Sequence, residues 1–315
     1  SVIVAGCVYT DIVGSGFPSL TKGEAVFGQR IAIRPGGKSR NIAQMIAAHS
    51  GAGRVAMIGR TTQDPYGLWR LPVDALLDAG VDCSCLRFVR FDNEMSWPGI
   101  TLSAADKQGR QQFFIIEGVS GEFSPDDIEN ADRLFRAAGK HNGMFVTTLE
   151  PPLGTAIFGI QKARQNGLKV LLDPAGMKSG VDYASILQED IFLLKPNARE
   201  AEILSGQNIN DIAGAQRAAL KLRKLGPQNV LITLKNEGAV LASGDWVKHL
   251  AAPDLNLAAA PDSTGCGDQV MATVCALLLS GEAIEKASEL AVRAGTLQYF
   301  RPGVVPVRNR ELVES

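Results

Sequence analysis

The segment Pro261-Asp-Ser-Thr-Gly-Cys-Gly-Asp268 sets two glycines and a carboxylate where a loop enters a long apolar helical pattern. Gly265 and Gly267 permit a tight turn, so successive N–H groups can converge at a helix N-terminus and hold an anion such as phosphate. Asp268 falls in the first turn, beside that hole. A carboxylate so placed can take a hydroxyl proton while the amides stabilise charge on a transferring phosphoryl group. The same residues also read as an ordinary loop followed by a helix-stabilising aspartate.

A second glycine turn lies in Pro35-Gly-Gly-Lys-Ser-Arg-Asn41. It ends like a phosphate-binding P-loop, but that motif needs glycine where Ala32 stands. What remains is Gly36-Gly37 entering a helix, with Lys38 and Asn41 available to a small polar ligand. A turn that merely starts the helix is the alternative.

Asp11, Glu150 and Asp173 follow apolar runs of strand length. Ligands of open parallel sheets bind outside the carboxyl ends of strands, so these acceptors can grip sugar hydroxyls or metal-bound water. Each also suits a helix cap or turn. Asn197 and Glu200 are three apart after Lys195-Pro196, which reads as a capping box. A Mg²⁺ role there is indirect, through water.

Other chemistries find little support. Gly14-Ser-Gly16 lacks the third glycine of a dinucleotide fingerprint, because position 19 is Ser19. His49, His141 and His249 share no metal-ligand spacing. Cys83-Ser-Cys85 alternates like a strand. The 315 residues carry 32 Lys+Arg against 33 Asp+Glu, a net charge of −1, so nucleic acid and anionic membrane are not expected partners. Five cysteines in a chain this long read as reduced thiols. The start, Ser1-Val-Ile-Val-Ala-Gly6, lacks a basic region and the apolar length of a secretory signal. The longest apolar stretch, about Val270 to Leu279, is too short to span a bilayer. A cytoplasmic protein is expected.

These residues need strand ends and helix starts to hold them. Strands are expected over Val2–Cys7, Arg54–Ile58, Met144–Thr148, Lys169–Leu172, Ile191–Leu194 and Asn229–Leu234. Helices are expected over Asn41–His49, Tyr66–Ala79, Leu153–Gln165, Asp211–Leu225, Asp268–Leu279 and Ala283–Phe300. The alternation predicts an α/β fold, a mostly parallel sheet covered on both faces. Ala25–Ile33 and Trp97–Ile116 break the rhythm as β-rich runs, the second a hairpin turning at Ala105–Arg110. They are expected to form a small inserted β-lid, about 13–35 and 96–117, on one folding unit spanning 1–315.

Taken in order, the segments resemble the ribokinase-like carbohydrate kinases, the PfkB family, along essentially the whole chain. The resemblance rests on Asp11, Gly36-Gly37-Lys38 with Asn41, Gly59…Asp64…Gly67, Glu150, Asp173-Pro174, Pro196-Asn197…Glu200, Thr233…Gly238, Asp262–Asp268 and Arg301-Pro-Gly303…Pro306. It implies a three-layer α/β/α fold and transfer of the ATP γ-phosphate to a sugar hydroxyl. Asp268 would be the base, and Gly265, Cys266 and Gly267 the anion-hole amides. Asn197 and Glu200 match the motif for Mg²⁺ and phosphate. Thr233, Lys235 and Gly238 fall where the family borders the nucleotide. Asp262 and Thr264, with the backbone around Gln298, Arg301 and Gly303, correspond to a monovalent-cation loop, implying K⁺. Lid closure would exclude water, and the lid of this family can also pair in a homodimer.

Asp11, Gly36, Gly37, Lys38, Asn41, Glu150 and Asp268 match the hydroxyl-binding set of ribokinases. The expected reaction is D-ribose to ribose 5-phosphate. The chain departs from the pattern at Ser39-Arg40, Thr62, Cys266 and Ala291, and Trp97 in the lid can narrow the site or stack on a ligand. The Gly-x-x-Arg-Asn arrangement also resembles pseudouridine kinases. A nucleoside, fructose or 2-keto-3-deoxygluconate is the alternative acceptor. From another class, the alternative is a catalytically silent sugar- or nucleotide-binding protein.

Overall fold

Val2–Ala5 (β1) is apolar and buried at all its positions, as a strand covered on both faces must be. The structure is a computed structural model describing residues 1–19, 23, 25–108, 110–255 and 262–314. Positions 20–22 and 24 of the expected lid segment, Gly109 of its hairpin turn and Pro261 lie outside the described residues.

The remaining strands are β2 (Tyr9–Phe17), β3 (Arg30–Gly36), β4 (Val55–Thr62), β5 (Asp82–Val89), β6 (Gly99–Asp106) and β7 (Gln111–Ile116), then β8 (Met144–Thr148), β9 (Lys169–Asp173), β10 (Leu193–Leu194), β11 (Asn229–Thr233), β12 (Ala239–Ser243) and β13 (Trp246–Leu250). The helices are α1 (Lys38–Ser50), α2 (Arg70–Asp78), α3 (Pro125–Asn130), α4 (Asp132–Gly139), α5 (Leu153–Gln165) and α6 (Ala184–Leu187). They continue as α7 (Ala198–Ser205), α8 (Ile212–Lys224), α9 (Cys266–Leu279), α10 (Ile284–Tyr299) and α11 (Asn309–Glu314).

Among the described residues, nine strands form one sheet in the order β13-β12-β11-β10-β9-β8-β1-β4-β5. Every pairing from β11 to β5 is parallel, and β12 and β13 add an antiparallel edge. Successive side chains of a strand face opposite layers. Val2 and Val4 accordingly join an apolar cluster with α1, α9 and α10, through Ile46, Met271 and Ala291. Ile3 and Ala5 join the opposite cluster with α4, α5 and α8, through Phe135, Ile160 and Leu222. The fold is the three-layer α/β/α arrangement expected. β4 and β5 lie to one side of β1 and β8 to β13 to the other, so β1 marks the reversal of strand order where α/β sheets bind ligands.

The second sheet has the order β3-β2-β6-β7. The 97–116 run is the expected hairpin, β6 with β7. The chain leaves the main sheet earlier than expected: β1 stops at Ala5, and Asp11 lies within β2 rather than after β1. Strand β3 occupies Arg30–Gly36, five residues later than the start expected at Ala25.

Three other differences are local. Helix α2 starts at Arg70, not Tyr66, because the Asp64 carboxylate accepts the N–H groups of Tyr66, Leu68 and Trp69 and holds them in a loop. Of the expected 191–194 strand, β10 keeps Leu193–Leu194, although Phe192 N still donates to Val170 O at 2.9 Å. The β12–β13 hairpin is absent from the elements expected above, although Gly244-Asp245, with Gly244 at φ 54°, is a turn pair of the right kind. Among the described residues no helix is long and apolar enough to cross a membrane.

Candidate active site

Gly265, whose φ of 76° turns the chain sharply, leads into helix α9, and no side chain caps the helix's first N–H groups. Such an end leaves backbone donors for an anion. Asp268 sits in that first turn, 5% exposed, and its Oδ2 accepts from Asn41 Nδ2 at 2.7 Å. Burial, and then the charges of Asp262 and Asp268, push the neighbouring Cys266 thiol up to about 12, away from the thiolate form.

Asn41 comes from α1, which starts directly after the Gly36-Gly37 turn. Gly37 has φ 89°, and a Cβ on Gly36 would lie 2.0 Å from Asp11 Oδ1. Only glycine lets Asp11 approach this turn. Burial raises the Asp11 carboxyl, against the Thr101 hydroxyl and the Arg40 charge.

Arg40 is fully buried. Its Nε donates to Gly36 O at 3.2 Å, Nη2 to Pro35 O at 3.0 Å, and Nη1 to Gln44 Oε1 at 2.6 Å. Nη2 also donates to Asn41 Oδ1. Burial lowers its pKa to about 10, against Asp11 and Asp268. Because the guanidinium has only donors, it fixes Asn41 Oδ1 towards itself and Nδ2 towards Asp268.

Glu150, after β8, accepts from Lys38 N at 3.1 Å and Ser39 N at 3.3 Å. Both its oxygens therefore hold the start of α1, with burial pushing its carboxyl up to about 7. Lys38 is raised above its ordinary value by Asp268 first, then by Asp173, Glu150 and Glu200, with burial opposing. One ammonium thus shares the field of four carboxylates drawn from four strand or helix ends.

Lys195, absent from the sequence-based set, is buried with its Nζ 2.5 Å from Asp173 Oδ2 and 3.1 Å from Gly267 O. The β9–β10 register pairs Leu172 with Leu194, so the following Asp173 and Lys195 are neighbours. A sequence without its strand pairing does not carry that signal.

The Asn197–Glu200 capping box is present: Asn197 N donates to Glu200 Oε2 at 2.8 Å and Glu200 N to Asn197 Oδ1 at 2.9 Å. Burial, then the Asp173 charge, raises Glu200. Thr233 lies alongside, its N–H on Pro196 O at 3.0 Å. Lys235, at φ 54°, and Gly238 form the turn that follows. Trp97 stacks on Tyr66 with centroids 5.8 Å apart and meets Phe91 edge-on at 5.2 Å.

The loop before α9 is tied to the end of α10. Asp262 accepts from Thr264 N at 2.9 Å and Gly303 N at 2.8 Å. The Gln298 side-chain Nε2 reaches the carbonyls of Thr264, Arg301 and Gly303 at 3.3, 3.4 and 2.6 Å.

The family profile described as "pfkB family carbohydrate kinase" matches residues 7–309. A ribokinase of Haemophilus influenzae is 27% identical over 99% of this chain and 97% of its own length. A deoxyribokinase of Salmonella typhi is 24% identical over 92% of this chain and 90% of its own. The structure of Arabidopsis thaliana ribokinase complexed with ribose and ATP superposes with a TM-score of 0.83. It is 24% identical and covers 99% of this chain and 97% of that one, a likeness of fold. The profile match spans nearly the whole chain, so the protein belongs to the PfkB family of carbohydrate kinases, phosphotransferases that act on a sugar hydroxyl.

Proposed function

We propose that the protein transfers the γ-phosphate of ATP to D-ribose, giving ribose 5-phosphate, with Asp268 as general base. The observation that carries this reading is the buried Asp268 carboxylate at the uncapped start of α9, held by Asn41. Asp268 takes the proton of the attacking hydroxyl as that oxygen bonds to the γ-phosphorus. The bond from that phosphorus to the β–γ bridging oxygen breaks, and ADP leaves. The amides of Gly265 and Gly267 would meet the charge that develops on the phosphoryl oxygens, and that of Cys266, which donates to Ser263 O at 3.3 Å, would turn from this carbonyl to join them. Asp11, Gly36, Gly37, Lys38 and Asn41 orient the sugar, and Glu150 keeps their turn in place through Lys38 N and Ser39 N.

Thr233, Lys235 and Gly238 border the nucleotide in this reading. Glu200 would hold Mg²⁺ through water: Asn197 N donates to its Oε2, and burial first and then the Asp173 charge raise its carboxyl, a repulsion that a divalent cation would relieve. Bound with ATP, Mg²⁺ neutralises the phosphate oxygens. Asp262, Thr264, Gln298, Arg301 and Gly303 do not fit a bound K⁺, because the Gln298 amide stands among the carbonyls.

D-ribose is favoured by the likeness to the Haemophilus influenzae ribokinase, and that to the Salmonella typhi deoxyribokinase makes 2-deoxyribose the next candidate. A nucleoside is the second reading, because the Tyr66–Trp97–Phe91 cluster offers ring faces to a base. ADP release with Mg·ATP tests these across D-ribose, 2-deoxyribose, pseudouridine, uridine, adenosine, fructose and 2-keto-3-deoxygluconate. A dominant signal for D-ribose is expected; a nucleoside or keto-sugar signal would move the assignment, and none from any acceptor would remove it.

The second sheet is the lid in this reading. Its register sets Asp11, Arg34 and Thr101 on one face, and Ile33, Ile12, Leu102 and Phe114 on the other. Ile33, Leu102 and Phe114 are exposed there. An apolar row of this kind fits a second copy of the chain, so the protein is proposed to be a homodimer through this face.

A further inference from the structure

Three backbone carbonyls, those of Thr264, Arg301 and Gly303, converge beside the loop that leads into α9. Oxygens gathered this way repel one another unless something positive stands between them. Gln298 Nε2 is that group, 2.6 Å from Gly303 O, 3.3 Å from Thr264 O and 3.4 Å from Arg301 O. We infer that the side-chain amide of Gln298 replaces the monovalent cation in this loop, so that the protein holds its anion-hole loop without K⁺.

The orientation of the amide follows from its surroundings. Gln298 is fully buried. Turned over, it would set Oε1 against three carbonyl oxygens with no donor between them. An atom at hydrogen-bond distance from Gly303 O leaves no room for an ion between the two. The cost falls on Oε1, which has no hydrogen-bond partner among the described residues. Asp262, the one carboxylate of the expected cation set, is also satisfied internally, by the N–H groups of Thr264 and Gly303. Arg34, from the second sheet, comes within 3.0 Å of where a Cβ on Gly303 would stand, and its charge helps hold Asp262 ionised. The loop therefore already has amide donors and a neighbouring guanidinium.

The inference rests on the kinase reading for its consequence, but its test does not need turnover. Melting of the full chain is measured in KCl, NaCl and tetramethylammonium chloride at one ionic strength, for wild type, Gln298→Ala and Gln298→Glu. ADP release is followed in the same salts. Wild type is expected to melt alike in all three and to turn over within about twofold. Gln298→Ala opens the cage, and Gln298→Glu sets an oxygen inside it; both are expected to gain a saturable K⁺-specific rise in melting temperature. A K⁺-specific rise in wild type overturns the inference whatever the variants do. Folded variants that ignore K⁺ also overturn it, since the carbonyls would then form no cage. If both variants fail to fold, the wild-type comparison alone decides. An inactive protein that still shows the expected melting pattern would sink the kinase reading and leave the cage intact.

Discussion

Asn41 Nδ2 and Asp268 Oδ2 meet at 2.7 Å across 227 positions of sequence, joining the first turns of α1 and α9. Asn41 is itself oriented by the buried Arg40 guanidinium. The three residues form a relay of position, in which a charge away from the carboxylate decides which edge of an amide faces it.

Replacing Asn41 by Leu is expected to lower kcat by about 10- to 100-fold, because the proposed base loses its fixed geometry. Arg40→Met should act in the same direction through Asn41. It also strands the carbonyls of Pro35 and Gly36, so a loss of about 2–4 kcal/mol is expected. Steady-state kinetics and urea unfolding separate the two effects. Unchanged kcat in a folded Asn41→Leu protein would remove the relay.

Lys195→Met leaves the Asp173 carboxylate buried without its partner, for a loss of about 3–5 kcal/mol. Adding Asp173→Asn should recover most of that stability, since no charge is then stranded. Turnover is not expected to return, because Gly267 O stays without the lysine. Denaturant unfolding of the two single variants and the double variant tests this, with strict additivity as the opposing result.

Glu150 supplies a pH signature. Burial raises its carboxyl from an ordinary 4.5 to about 7. The folded state therefore binds more protons than the unfolded state between those values. The stability from this group is fully present below about pH 4.5 and is lost as pH rises through about 7. Glu150→Gln should flatten that part of the stability profile. Parallel wild-type and variant profiles between pH 4.5 and 8 would contradict the assignment.

Phe114→Glu on the outer face of the second sheet is expected to yield monomers, read by sedimentation at equilibrium. A wild-type protein that is already monomeric at micromolar concentration would refute the dimer.

The sequence carries the sheet because its signal is local. Val2–Ala5 is apolar on both faces, and Asn197 with Glu200 spells a cap within four residues. Gly36-Gly37 and Gly265 mark turns that few other residues allow. Contacts set by pairing between distant segments leave no such mark. Lys195 meets Asp173 only because of the β9–β10 register. Arg40 reads as a departure near the ligand, yet it is folded onto Gly36, Gln44 and Asn41. Gln298 reads as a backbone position, and the direction of its side chain depends on how α10 meets the loop before α9.

In the proposed mechanism Asp268 takes the proton of the attacking hydroxyl, and Asp268→Asn removes that base. ADP release with Mg·ATP and D-ribose should fall by about 100- to 10,000-fold, while the calorimetric Kd for D-ribose stays within about threefold. Near-normal turnover in that variant would show that another group is the base.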